Sequence, residues 1–223
     1  MTIKEAYEMR RQNKVEEAYE AARAIYVKNT NQHASTLMFG TAVDMLKLRV
    51  AEDRVEEARL IYKALERLMG NVTDERGWMC NAMKKCSDLI SSGENRKQMM
   101  DSGPMHMQMG IWGENLAVAY LREKGYVILE RDWRSQHRDI DIIAKDKECT
   151  VFVEVKTRHS NPLVAPIEAV DYKKVKNLCR AINHYIQYKK LDTLWRFDII
   201  TIEGDIGSNV KPKITHIEDV SLR

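Results

Sequence analysis

Along the first ninety residues, apolar side chains return every three or four positions. In "VEEAYEAARAIYVKN", Val15, Ala18, Ala22, Ile25 and Tyr26 fall on one helical face. "IKEAYEMRRQ" precedes this segment across a polar break at Asn13. "ASTLMFGTAVDMLKLRVAE", "RVEEARLIYKALERLMG" and "DERGWMCNAMKKCSDLI" continue the same period. The pattern predicts helix–turn–helix pairs closed by one more helix. From Ser91 to Gly110, "SSGENRKQMMDSGPMHMQMG" interrupts it with Ser, Gly, Pro and five Met, and reads as a linker.

After Gly110 the period changes. "WGENLAVAYLREKG" predicts a helix with Leu116, Ala117, Tyr120 and Leu121 on one face and Gly125 as its stop. "YVILERDW", "DIDIIAKD" and "TVFVEVKTR" alternate or run apolar as strands do, with a tight turn near Asp146-Lys147. A long helix is expected in "APIEAVDYKKVKNLCRAINHYIQYKK", then strands in "LWRFDIITIE" and "KITHIE". The order α-β-β-β-α-β-β predicts an α/β domain over residues 109–223, a mixed sheet flanked by helices. A linker at 93–108 joins it to an all-α domain over 1–92.

The helical half carries an internal echo. "NKVEEAYEAARAIY" and "DRVEEARLIYKALE" share VEEA, at Val15 and again forty residues on at Val55. This resembles tetratricopeptide-type repeats, although the spacing exceeds the usual repeat length. A plain helical bundle is the alternative. The half contains no paired acids with a lysine, no histidine cluster and no Gly-rich phosphate loop, so its expected role is to bind a protein partner or itself.

Composition adds bounds rather than a function. The chain is 44% apolar and 31% charged, as a globular protein is. It has no run of eighteen apolar residues, and its charged N-terminus lacks the pattern of a secretory signal, so a cytoplasmic protein with no membrane partner is expected. The first hundred residues hold 17 Lys and Arg against 15 Asp and Glu, and the rest 19 against 18. Any contact with nucleic acid must therefore come from local patches. The four cysteines lack CxxC spacing and are expected as reduced, mostly buried thiols. The six histidines lack HxxxH spacing, which argues against a zinc hydrolase.

Chemistry concentrates on one expected hairpin. Asp139 and Asp141 share a face of their strand, and Glu154 and Lys156 share a face of the next. Pairing around the turn brings Asp141 and Glu154 together, where two carboxylates repel unless neutralised. Mg²⁺ or Mn²⁺ would do so using one or two carboxylates, water and phosphate oxygens. Lys156 would hold an attacking water or offset phosphate charge. Glu114, on the preceding helix, is a candidate third carboxylate. Arg158 and His159, with Lys173, Lys174 and Lys176, are candidates for a phosphate-contacting rim. The plainer alternatives are a surface ion pair at Glu154–Lys156, a solvated helix face for the lysines and an exposed strand residue at Asp139.

An Asp followed about a dozen residues later by Glu-x-Lys on adjacent strands resembles the PD-(D/E)xK nuclease arrangement. The run "GIWGENLAVAYLREKGYVILERDWR", "DIDIIAKD", "VFVEVKTR", "RFDII" and "ITHIED" resembles the YraN-like family of small bacterial proteins over residues 107–219. That family looks like a restriction-endonuclease-like group related to Holliday-junction resolvases. The chain departs from it at Arg138-Asp139, where the family has Gly-Glu. The resemblance implies a metal-dependent endonuclease acting on structured or branched DNA. Asp141, Glu154, Lys156 and Glu114 fall on its active-site positions, and the first two and Glu114 on metal positions. It also implies, by analogy, a homodimer. The rival expectation is a non-catalytic nucleic-acid-binding module or protein-interaction adaptor that keeps the nuclease fold.

Overall fold

The computed structural model describes residues 1–70, 77–135, 138–160, 172–192 and 194–220. Of these, the side chains of residues 135, 138 and 172–175 lie outside the description. The described residues form seven helices and five strands in two compact units, Met1–Lys97 and Gln98–Arg223.

The first unit contains α1 (Ile3–Arg11), α2 (Val15–Lys28), α3 (Gln32–Ala51), α4 (Val55–Met69) and most of α5 (Trp78–Ser102). Thr2 and Glu5 close a capping box on α1, and the Asn31 side chain accepts from Ala34 N–H to start α3. The sequence echo is also a structural one. Asn13 and Asp53 both take the left-handed conformation, with φ of 58° and 56°. Each turn repeats the other's bonds: Lys14 N–H donates to Met9 O, and Arg54 N–H to Arg49 O. Polar Asn and Asp tolerate this backbone better than most residues.

α3 is buried on nearly every side, because Leu37 meets α1 and α2 while Phe39, Val43 and Leu46 meet α4 and α5. Trp78 packs its ring edge-on against Phe39, 5.1 Å between centroids. The Arg49 guanidinium, largely buried, gathers Glu16 at 2.6 Å, Glu52 at 2.7 Å and Glu57 at 3.4 Å. It thereby ties both VEEA segments to the α3–α4 turn.

Ser91–Gly110, read above as a linker, is helical on both sides of a short break. α5 runs through Ser102, and α6 (Met105–Glu123) starts directly after Pro104. Glu, Arg, Lys, Gln and Met are good helix formers, and here they outweigh the Gly and Ser punctuation. Gly93 is a contact residue: a Cβ there would lie 2.9 Å from Val55 Cγ2. Three residues on, buried Arg96 donates to Asp53 at 2.6 Å.

In the second unit, β1 (Val127–Ser135), β2 (Arg138–Asp146), β3 (Cys149–Arg158), β4 (Trp195–Glu203) and β5 (Lys213–Ile217) form one sheet in chain order. All pairs are antiparallel except β3–β4, which are parallel and joined through α7 (Tyr172–Lys189). The expected helix start at 165–171 lies outside the described residues. β2 and β3 meet at a two-residue turn, with Lys147 at φ 52°. Phe152, Ile140, Ile143 and Phe197 pack under Leu178, Ile182 and Tyr185 of α7. Thr157, of opposite parity to Phe152 on β3, meets Gly113 of α6. The two helices therefore cover opposite faces of the sheet.

Asp198 on β4 is fully buried and pairs with Arg196, as the sequence allowed. It also accepts from His216 Nε2 at 2.9 Å and from Asp219 N–H at 3.0 Å. Burial pushes its pKa up, but these partners outweigh burial and hold it below the usual carboxylate range. All four cysteines are unbonded. Only Cys86 is buried, which corrects the expectation of mostly buried thiols.

A Cβ at Gly113 would lie 2.0 Å from Thr157 Oγ1, so there is no room for one. Gly113→Ala is expected to destabilise the protein by about 1–3 kcal/mol in urea denaturation. Adding Thr157→Ala, which removes that oxygen, is expected to recover most of the loss.

Candidate active site

β3 sets the site by outrunning its cover. Thr150 to Val153 are buried on both faces, and from Glu154 to Arg158 every residue is half-buried. Even-numbered side chains that begin under α7 with Phe152 emerge as Glu154, Lys156 and Arg158. The β2–β3 ladder is regular up to Ile142–Val153. One residue further on, the side chain of Asp141 takes over, accepting from Val155 N–H at 2.7 Å. The hairpin's last pairing bond is thus made by a carboxylate.

A cleft of about 760 Å³ opens there. It is lined by Glu114, Asp141, Glu154, Lys156, Arg158 and His159, and by Met105, His106, Met109 and Gly110 from the first half of α6. Lys156 Nζ donates to Glu154 Oε1 at 2.6 Å. The Asp141 carboxyl is pushed up to about 7. Lost hydration contributes most and the Glu154 charge next, while Val155 N–H and Lys156 pull the other way. Two carboxylates therefore converge beside an amine, and their mutual repulsion is only partly offset.

The remaining candidates divide. Glu114 shares the cleft, but its Oε2 lies 3.7 Å from the Arg131 guanidinium. Among the described residues, no three His, Cys, Asp or Glu side chains are grouped to hold a metal ion. Glu114, expected as a third carboxylate, thus lies in the same cleft as Asp141 and Glu154 with a cation at its side. Asp139 is exposed and outside the cleft lining, as a plain strand residue would be. Lys176 is exposed on α7 and also outside the lining. The side chains of Lys173 and Lys174, and that of Arg138, lie outside the described residues.

The α6 wall went unread in the sequence because Met105–Gly110 looked like linker. Pro104 before Met105 and Met109, spaced i and i+4, was the available signal.

The family model for the uncharacterised protein family UPF0102 matches residues 113–202. The chain is 45% identical to a UPF0102 protein of Bacteroides thetaiotaomicron over 114 residues, which is 51% of this chain and 92% of that protein. It is 43% identical to one of Christiangramia forsetii over 51% and 93% of the two chains. It is 40% identical to one of Syntrophomonas wolfei over 51% and 96%. The chain belongs to the UPF0102 family. UPF0102 is a YraN-like family of nuclease fold, in keeping with the resemblance carried by the hairpin motif. The part matched to UPF0102 contains Glu114, Asp141, Glu154, Lys156 and Arg158, while His106 and the helices α1 to α5 precede it.

The raised Asp141 pKa fixes a pH dependence. Unfolded, this carboxyl titrates near its ordinary value of about 4. Its favourable contribution to the metal-free fold is complete below that pH and is lost as pH rises through about 7. In EDTA, Asp141→Asn is expected to be more stable than wild type at pH 8, by on the order of 1–3 kcal/mol in urea denaturation. The difference should shrink as pH falls and vanish below about pH 4. A difference that grows toward acid pH would contradict the assignment.

Proposed function

We propose that the second unit is a metal-dependent endonuclease-like module that hydrolyses phosphodiester bonds in structured or branched DNA. The observation that carries this reading is the convergence of Asp141, Glu154 and Lys156 in one cleft, with the Asp141 carboxyl pushed up by burial and by Glu154. Two crowded carboxylates suit Mg²⁺ or Mn²⁺, which take one or two protein carboxylates and complete their shell with water and phosphate oxygens. Bound there, such an ion would offset the paired charge and polarise a phosphate oxygen.

The chain's own groups supply the rest. Asp141, fixed by Val155 N–H, and Glu154 hold the site's negative charge. Lys156 orients water toward phosphorus or stabilises charge as it builds on the phosphate. Glu114, with Arg131 beside it, orients groups at the cleft wall rather than sharing the same ion. Arg158, with Lys176 at a distance, provides phosphate contacts. The helical unit, with its forty-residue echo, is read as a tetratricopeptide-like module that recruits a protein partner, and a homodimer would supply two sites for two cuts.

One observation favours a second reading. Lys156 already neutralises Glu154 at 2.6 Å, an arrangement that a non-catalytic nucleic-acid-binding module or adaptor could retain without any metal.

The two readings part in one assay. Four-way junction, flap and linear duplex DNA are incubated with the full chain and Mg²⁺ or Mn²⁺. Nicking of at least one substrate is expected, falling about a hundredfold or more in Glu154→Ala and in Asp141→Ala. Binding without nicking, unchanged in Glu154→Ala, would leave the adaptor reading standing instead.

A further inference from the structure

Beyond the end of β3, an unexpected clamp holds His159. Gly204 N–H donates to Arg158 O at 2.9 Å, prolonging the β3–β4 pairing and setting Asp205 beside the end of β3. Asp205 then grips two consecutive residues. His159 Nδ1 lies 2.6 Å from Oδ1, while the Ser160 hydroxyl and N–H both donate to Oδ2. Ser160 and His159 hold the Asp205 carboxyl below its usual range, so it is an ionised acceptor and Nδ1 carries the hydrogen. That fixes the ring's orientation and leaves Nε2 for another partner. His159 is mostly exposed and lines the cleft.

Reach decides what that partner is. Three residues of extended strand separate Lys156 from His159, about 10 Å. A nucleic-acid strand presents a phosphate about every 3.4 Å of its axis. The imidazole therefore sits too far along the strand to serve the phosphate at Lys156, and at a suitable distance for a later one. We propose that His159, positioned by Asp205, contacts a phosphate flanking the reacting one in nucleic acid laid across the cleft. This rests on the nuclease-like reading and deepens it: with Nδ1–H held by Asp205, Nε2 donates to a phosphate oxygen when it too carries a proton. Asp205 acts here as a positioning residue.

Other charged and titratable groups lie beside the ring or share its cleft. These are Asp205 from the β4–β5 connection, Arg158 on β3, His106 from α6, and Lys156, Glu154 and Asp141 deeper in the cleft. Comparing variants of His159 at a single pH holds all of them constant.

The test measures binding of the full chain to a fluorescently labelled four-way junction and a linear duplex, with Ca²⁺ replacing Mg²⁺, across a salt series. At pH 6, His159→Gln is expected to bind several-fold more weakly than wild type, with a salt slope reduced by about 1. At pH 8 the gap between the two should narrow, because only a protonated imidazole carries charge. His159→Arg should bind tightly at both pH values. Asp205→Asn should give up part of the pH 6 advantage, and His159→Arg in that background should restore it. If His159→Gln matches wild type at pH 6 while wild type binds, the inference fails and the nuclease-like reading stands. If wild type binds neither DNA, both fail.

Discussion

An ionisable group stripped of its water next to a like charge is the constraint on which the second unit turns. Asp141 has lost part of its hydration and faces the charge of Glu154, and its proton is held up to about pH 7 in consequence. A fold selected for stability alone would fill such a place with an apolar pair, because charges taken out of water cost more than well-packed apolar groups. The strain is held by the sheet. Val155 N–H anchors the Asp141 carboxylate, the regular pairing up to Ile142–Val153 fixes the register, and Phe152 locks β3 beneath α7. Local strain of this kind concentrates where a protein does chemistry.

The same sheet holds a contrasting case. Asp198 exposes no surface, yet its pKa is lowered, because His216, the Asp219 N–H and Arg196 surround it. Arg196 in turn reaches Asp146 at 2.9 Å and the Tyr126 hydroxyl, so one network joins β2, β4 and β5 to the residue just before β1. Burial by itself does not mark a site. Burial beside like charge and without enough compensating partners does, and that separates the two aspartates.

Much of the second unit was legible from residue types. Alternation gave the strands, Asp146-Lys147 the turn, and the parity of Glu154 and Lys156 their shared face. The hairpin register followed, because a buried strand cannot slip by one residue without turning its apolar side to water. What stayed hidden depended on long-range partners. Nothing in the sequence places Arg131 beside Glu114. Asp205 lies 45 residues from Ser160, and only the β3–β4 pairing joins them. The α5–α6 region was misread because Gly93 signals a bend in sequence, whereas in the fold it admits the side chain of Val55.

Strand order in the sheet follows chain order, so its borders are β1 and β5 and its middle is β3. β5 is five residues long, alternates exposed and half-buried positions, and opens with Lys213. A short, wet, charged border is poor ground for unwanted strand addition. Any chain that did pair along it would be separated from the cleft hairpin by β4. The cleft carboxylates are thereby insulated from accidents at that border.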